Sequence, residues 1–300
     1  MSADIVTAPP GTLTAGRARL ASAARALKRV PWFAILLLAP VVIAGLFGPM
    51  LFLHDPTSIN LLAPQKPPAW LPGGDLAYPL GTDQLGRDLF SRLVEGARVT
   101  LIIAICGVMV AALVGISVGM IAGYAGGWLD GLLTQIMDVK FSLPANLLIV
   151  LLGAAIGGGL WTIVISVALL FWADYARIIR AETLSLRERN FVALARVANA
   201  SDARILLRHI LPNLMSTCIV LITLQIGRAI LIEAGISYIG LGVQPPATAW
   251  GLMVYEGRTY LATAWWLPIF SGLAITMTVL GANLFGDWLR DALDPRSESA

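Results

Sequence analysis

Ionisable side chains are scarce in this 300-residue chain. Only 13% of its residues are charged and 57% are hydrophobic, where a soluble domain carries about 25% charged residues and under half apolar. Mean hydropathy is +0.78. The lysines are Lys28, Lys66 and Lys140, and none follows a glycine, which excludes a GxxxxGK(S/T) phosphate loop. The histidines are His54 and His209, too few and too far apart for an HExxH pattern or a carboxylate–histidine metal set. Cys106 and Cys218 lie far apart in apolar surroundings with no CxxC spacing, and read as packing residues. Gly115-Ile116-Ser117-Val118-Gly119 matches the letters GxSxG, but that motif needs a strand-to-helix turn and a histidine base. Here it falls in mid-helix. No catalytic residue, metal ligand or bound cofactor is expected, and the chain is not read as an enzyme.

What fills the chain instead is membrane-quality sequence. Asp, Glu, Lys and Arg are absent from Val30 to Leu53, Val99 to Leu129, Phe141 to Ala173, His209 to Gly227 and Thr259 to Gly286. A spanning helix needs about 20 mostly apolar residues, so each run holds at least one. The expectation is an all-α polytopic membrane protein with six spans near 32–53, 98–123, 132–155, 160–177, 213–235 and 266–288. Gly157-Gly158-Gly159 supplies the hairpin between the third and fourth. Residues 1–30 form a basic tail with Arg17, Arg19, Arg25, Lys28 and Arg29. The apolar run after it exceeds the roughly 7–15 residues of a signal-peptide core, so it reads as an uncleaved first span, with an organellar transit peptide as the minor alternative. The 177–213 segment is the other basic flank, with seven arginines, while 54–97 and 236–265 carry few basic residues. The positive-inside rule then places both termini and the 178–212 segment in the cytoplasm, with 54–97 and 236–265 as outer loops and 291–300 as a cytoplasmic tail. Residues 31–290 form the membrane domain.

Within this frame four features stand out. Gly107, Ala111, Gly115, Gly119 and Gly123 recur every four residues and make one small-residue stripe for close helix packing, against a span of this chain or of a partner. Arg228 and Glu233 fall within or near the end of span five; they line either a water-filled pathway or the outer membrane surface. Asp138 and Lys140 read as interfacial, as do Trp265 and Trp266. Asp83, Arg87 and Asp88 are placed to cap or pair at a helix start before span two. The fourth feature is a polar island, Arg187 to Asn213, between apolar spans. It reads as two helices. Phe191, Leu194, Ala195 and Ala198 share a face of the first, and Asn199 tolerates the left-handed turn that ends it. Ser201 or Asp202 caps the second, which carries Ile205, Leu206 and Leu207, and Pro212 suits the first turn of span five.

The island resembles the EAA loop of ABC-importer permeases, E-A-A-x3-G-x9-I-x-L-P. It aligns as Ala193-Leu194-Ala195, Asn199 and His209-Ile210-Leu211-Pro212, so Ala193 replaces the Glu, Leu194 the first Ala, Asn199 the Gly and His209 the Ile. Two further stretches, Pro79 to Asp88 with Ser91-Arg92 and Gly96-Ala97-Arg98, and Glu233-Ala234 with Ser237 to Pro246 and Trp250-Gly251, are similar to the dipeptide/oligopeptide/nickel permease family and within it to the C-type subunit. The resemblance covers about residues 30–290. It implies a type I ABC-importer permease fold and a role as half of a translocation pathway for di- or oligopeptides. The implied partners are a second, B-type permease, one or two ATPase subunits that hold ATP and Mg, an extracytoplasmic solute-binding protein, the peptide substrate and membrane lipid, with no nucleic acid. Coupling to the ATPases falls on Arg189, Phe191, Ala193, Leu194, Ala195, Asn199, Ser201, Asp202, His209 and Pro212; Asp83, Arg87, Asp88, Arg228 and Glu233 are pathway or outer-loop candidates. A permease for nickel or another small solute is the same-family alternative. A secondary transporter working alone, or an intramembrane hydrolase, are the alternatives of other classes.

Overall fold

The computed structural model describes residues 31–293; the basic tail and residues 294–300 lie outside it. Every element among the described residues is helical: α1 (Trp32–Leu51), α2 (Leu89–Ala125), α3 (Gly127–Ser142), α4 (Ala145–Ile156), α5 (Leu160–Arg187), α6 (Asn190–Val197), α7 (Asp202–Ile205), α8 (Leu211–Tyr238), α9 (Trp250–Gly257) and α10 (Trp266–Leu293). Five rods are long and apolar enough to cross a membrane, and the α3–α4 pair makes a sixth span if it counts as one.

The heart of the bundle is α2 against α5. The small-residue stripe faces α5 along its whole length, so the seam lies within this chain. A Cβ on Gly107 would meet Val167 Cγ1 at 2.7 Å, one on Gly119 Ala176 O at 2.6 Å and one on Gly123 Arg180 O at 2.7 Å, while one on Gly115 would run into the carbonyl of Trp172. Only hydrogen at these positions allows the two backbones to touch, and dense packing is what holds helices together where lipid removes the hydrophobic drive. Around the seam, Ile103, Val108, Ile163, Val167, Phe171, Ala229 and Ile230 form the main core. By contrast, α1 buries only Ala34, Val41 and Gly48, seven residues apart. It is a peripheral helix touching the bundle along one thin line.

Three expectations about the spans change. Span two begins at Leu89 rather than 98, because Asp88 caps it there: its carboxylate accepts from Ser91 N (3.0 Å) and Ser91 Oγ (2.6 Å). Span three is not one rod. Its halves, α3 and α4, meet at 89° around Leu143, whose extended backbone (ψ 128°) follows from Pro144: proline disfavours helical geometry in the residue before it and offers no N–H. Span four runs on to Arg187, so Arg177 and Arg180 belong to a membrane helix rather than to the loop after it.

The 54–88 and 236–265 segments pack together at one end. Trp250, buried, donates its indole N–H to Leu93 O (2.9 Å), and Trp266, also buried, donates to Thr82 O (3.3 Å). Trp266 is therefore a structural clasp and not a membrane-belt residue; Trp265 alone of that pair is exposed.

Candidate functional site

At the end opposite those loops, the chain leaves α5 and folds into a compact cap. Val192 and Ala195 of α6, with Ile205, Ile210 and Leu214, close over Met120 and Ile179. The turn after α6 is a Schellman motif. Ala200 N–H donates to Ala195 O (3.0 Å), Asn199 N–H donates to Arg196 O (2.9 Å), and Asn199 takes φ 56°. Ser201 stands at the α7 N-cap position in extended conformation but makes no side-chain capping bond. Asp202 instead accepts from Tyr124 Oη at the end of α2 (2.8 Å), and Arg187 Nη1 donates to Tyr124 O (3.2 Å). From Asp202 the helix continues without a break to Tyr238 as a single 37-residue rod. Its one irregularity is a wide π turn over Leu206–Ile210, just ahead of Pro212, which cannot donate back to Arg208. The cap is thus fastened to α2, α5 and α8 together.

Of the residues expected to share a face of α6, only Ala195 is buried. Leu194 lies about 200° round the helix from Val192 and points out, 68% exposed. Ala198 is likewise exposed, whereas Ala195 is buried and Phe191 half-buried. Ala195 therefore serves packing. The outward surface carries Ala193, Leu194, Arg196, Val197 (85% exposed), Asn199, Ser201, Asp202, Arg204, Leu207 and Arg208, with Arg189 and Pro212 exposed beside it and His209 half-buried. The outward surface thus sets exposed apolar side chains among arginines.

The pathway candidates separate into three places. Asp83, Arg87 and Asp88 are all buried. Arg87 Nε donates to Asp83 Oδ2 at 2.6 Å, and Arg92 Nη1 donates to the same oxygen. Both arginines also donate to Glu256 Oε2, at 3.2 and 2.8 Å. This four-membered network joins the two loops across 164 residues of sequence. Glu233 is fully buried, accepting from Thr100 Oγ1 (3.3 Å) and Ser237 Oγ (2.8 Å); it ties α8 to α2. Arg228 alone opens to a cavity.

That cavity, about 420 Å³, is lined by Phe141, Asp174, Arg177, Leu221, Gln225 and Arg228, among others. Arg228 Nη1 donates to Asp174 Oδ2 (3.5 Å) and to Gln225 Oε1 (3.0 Å), and Lys140 Nζ stands 3.9 Å from Asp174 Oδ1. Arg177 pairs with Asp138 at 2.9 Å. Asp138 and Lys140 thus pair with α5. The sequence reading passed over Asp174, Gln225 and Glu256. A lone acid ending an apolar run was the available signal for Asp174.

The chain matches the family described as binding-protein-dependent transport system inner membrane component over residues 115–299. It is 40% identical over 266 residues to a di/tripeptide transport system permease protein of Pseudomonas aeruginosa, covering 89% of this chain and 88% of that one. A candidate peptide permease protein of Brucella suis is 39% identical over 272 residues, covering 90% and 88%. Among solved structures it is similar in fold to a chain of the MetNI methionine ABC transporter in an inward-facing conformation, with TM-score 0.54 and 17% identity over 68% of this chain and 96% of that one. The arrangement of a multi-pass apolar bundle with an exposed polar cap is that of a cell-membrane transport subunit, and the chain belongs to the family of binding-protein-dependent transport system inner membrane components.

Proposed function

We propose that this chain is the permease subunit, one of two, of an ATP-driven importer for di- and oligopeptides. The substrate class rests on the peptide names of its relatives at 39–40% identity. The observation that carries the coupling role is the cap: a surface of exposed Leu194, Val197 and Leu207 among arginines, on a folded body pinned to α2, α5 and α8. An ATPase dimer that closes on ATP and Mg would grip these knobs and move the three helices as a body. Ala193, Leu194, Asn199, Ser201 and Asp202 stand on the gripped surface, and Ala195 and Phe191 support it from beneath. On this reading the cap and both termini are cytoplasmic, and the loops stitched by Asp83, Arg87, Arg92 and Glu256 receive the solute-binding protein on the other side.

The test is to tag the chain, extract it gently from its native membrane and identify stoichiometric companions by mass spectrometry. A second permease and one or two ATPases are expected. Cysteines at Leu194 and Val197 should then crosslink to the ATPase during turnover. A homo-oligomer without ATPase, stable across detergents, sinks the reading in favour of a secondary transporter.

A further inference from the structure

Arg228 lies ten residues before the end of α8, which at 1.5 Å per residue is about 15 Å along the helix, half the thickness of a hydrocarbon core of roughly 30 Å. A guanidinium 61% exposed inside a membrane-spanning helix is costly against lipid and is better placed on a water-filled surface. The shape of α8 agrees. Thr217, Val220, Leu221, Leu224, Gln225 and Arg228 recur at three- and four-residue spacing and so share one face. That face lines two cavities, the one described above and another of about 460 Å³ with Glu182 and Arg290, which join at Leu221 and Leu224. The result is one groove running down the helix from Arg228.

The head of the groove is built with cation to spare. Lys140, Arg177 and Arg228 face only Asp138 and Asp174, and Arg177 already holds Asp138 closely. Asp174 is left to serve both Lys140 and Arg228, at 3.9 and 3.5 Å, longer than a good charge-assisted bond of about 2.7–2.9 Å. Among the described residues, Nε and Nη2 of Arg228 find no acceptor. Phe171 and Phe141 hold the cations in place by their ring faces: Arg228 stands 5.1 Å over Phe171, and Lys140 4.3 Å and Arg177 3.9 Å over Phe141. An arginine fork, positioned by an aromatic face and loosely paired, is suited to accept a carboxylate in bidentate fashion.

We propose that Arg228, with Lys140 beside it and Asp174 as the resting counter-ion, forms a carboxylate-binding subsite inside the membrane. It holds the C-terminal carboxylate of the transported peptide on its way along the groove. This rests on the peptide reading above.

The experiment uses the assembled transporter, with Cys106 and Cys218 replaced by alanine and Arg228→Cys introduced. The position-228 thiol should react with water-soluble methanethiosulfonates, and trialanine at millimolar concentration should slow that reaction while trialanine amide does not. In proteoliposomes, attachment of the cationic ethylammonium group should restore trialanine uptake, and the anionic ethylsulfonate group should hold it at least about tenfold lower, the loss of one charge-assisted contact. Lys140→Cys, treated identically, carries the test if Arg228→Cys fails to assemble with its partners. An unreactive thiol, equal protection by acid and amide, or equal uptake with either reagent overturns the subsite. Failure of the unsubstituted transporter to take up any peptide overturns the peptide reading itself.

Discussion

Two ionic clusters in this molecule are made of nearly the same residues and do opposite things. Asp83, Arg87, Arg92 and Glu256 pair two acids with two bases, and none of their side chains is more than 15% exposed. Lys140, Asp174 and Arg228 pair one acid with two bases at longer range, on the wall of a cavity. Burying charge costs several kcal/mol per ion unless it is fully paired, so the first cluster can exist only because its charges balance. Once formed, it fixes the relation between two loops. The second cluster is more open, with Arg228 61% exposed, and its surplus cation is left free to bind something. Charge balance and saturation, more than residue type, separate a lock from a site.

The sharpest way to break that comparison is to remove one acid from each cluster. Asp83→Ala leaves two buried guanidinium groups facing a single carboxylate, and the expected loss is about 3–5 kcal/mol, seen as a large fall in the melting temperature of the purified transporter or as failure to assemble. Asp174→Asn should cost less than about 1 kcal/mol and register in uptake instead. If the two variants lose equal stability, the distinction between lock and site disappears.

The small-residue seam comes next. Gly119→Leu forces a side chain into the Ala176 carbonyl and Ile179 and should cost about 1–3 kcal/mol through overpacking, with α2 and α5 driven apart. Gly131, with nothing within 4 Å of a Cβ, is the matching control inside α3. Gly131→Ala should be neutral or gain up to about 1 kcal/mol from reduced chain entropy. Thermal unfolding of the two variants side by side decides whether contact or composition gives the stripe its role.

Much of this was legible in the sequence, and the limits have physical causes. The glycine register, the left-handed turn at Asn199 and the Asp88 cap are local patterns, and each stands where its spacing placed it. The long apolar runs likewise became helices. Hydropathy alone could not see the break at Pro144, because the two halves together still read as one apolar stretch; the Leu143-Pro144 step was the overlooked signal. Glu256 could not be paired with Arg92 from sequence, since 164 residues separate them. Arg177 looked like a span boundary because charge is the usual marker of one, whereas the helix runs on past it and Arg177 lines a cavity with Asp174.

The exposed cap gives a third comparison, between apolar residues that hold the fold and apolar residues that wait for a partner. Leu194→Asp should change stability by no more than about 0.5 kcal/mol, as surface substitutions do, yet abolish co-purification of the ATPase and peptide uptake. Val192→Asp, fully buried on the opposite side of the same helix, should instead unfold the cap. Retained uptake in Leu194→Asp would remove that residue from the coupling surface.

At the far end of the scale lies the exposed pair Lys66–Asp75, at 2.9 Å in the 54–88 loop. It is shorter than either contact of Asp174, yet it should matter least. The N–H of Ala77 and then the Lys66 ammonium hold the Asp75 carboxyl below its ordinary value of 3.8. A lowered folded-state pKa stabilises above the unfolded value and is lost only as pH falls through the folded one. Whatever the lowered carboxyl pKa contributes is thus fully present at about pH 5 and does not change between there and neutral pH. Asp75→Asn should leave the melting temperature unchanged across that range, because water and mobile salt screen both partners. A pH-dependent loss above pH 5 in this variant would mean that close geometry alone confers stability here, and the contrast between the two clusters would have to be redrawn on distance rather than on burial and balance.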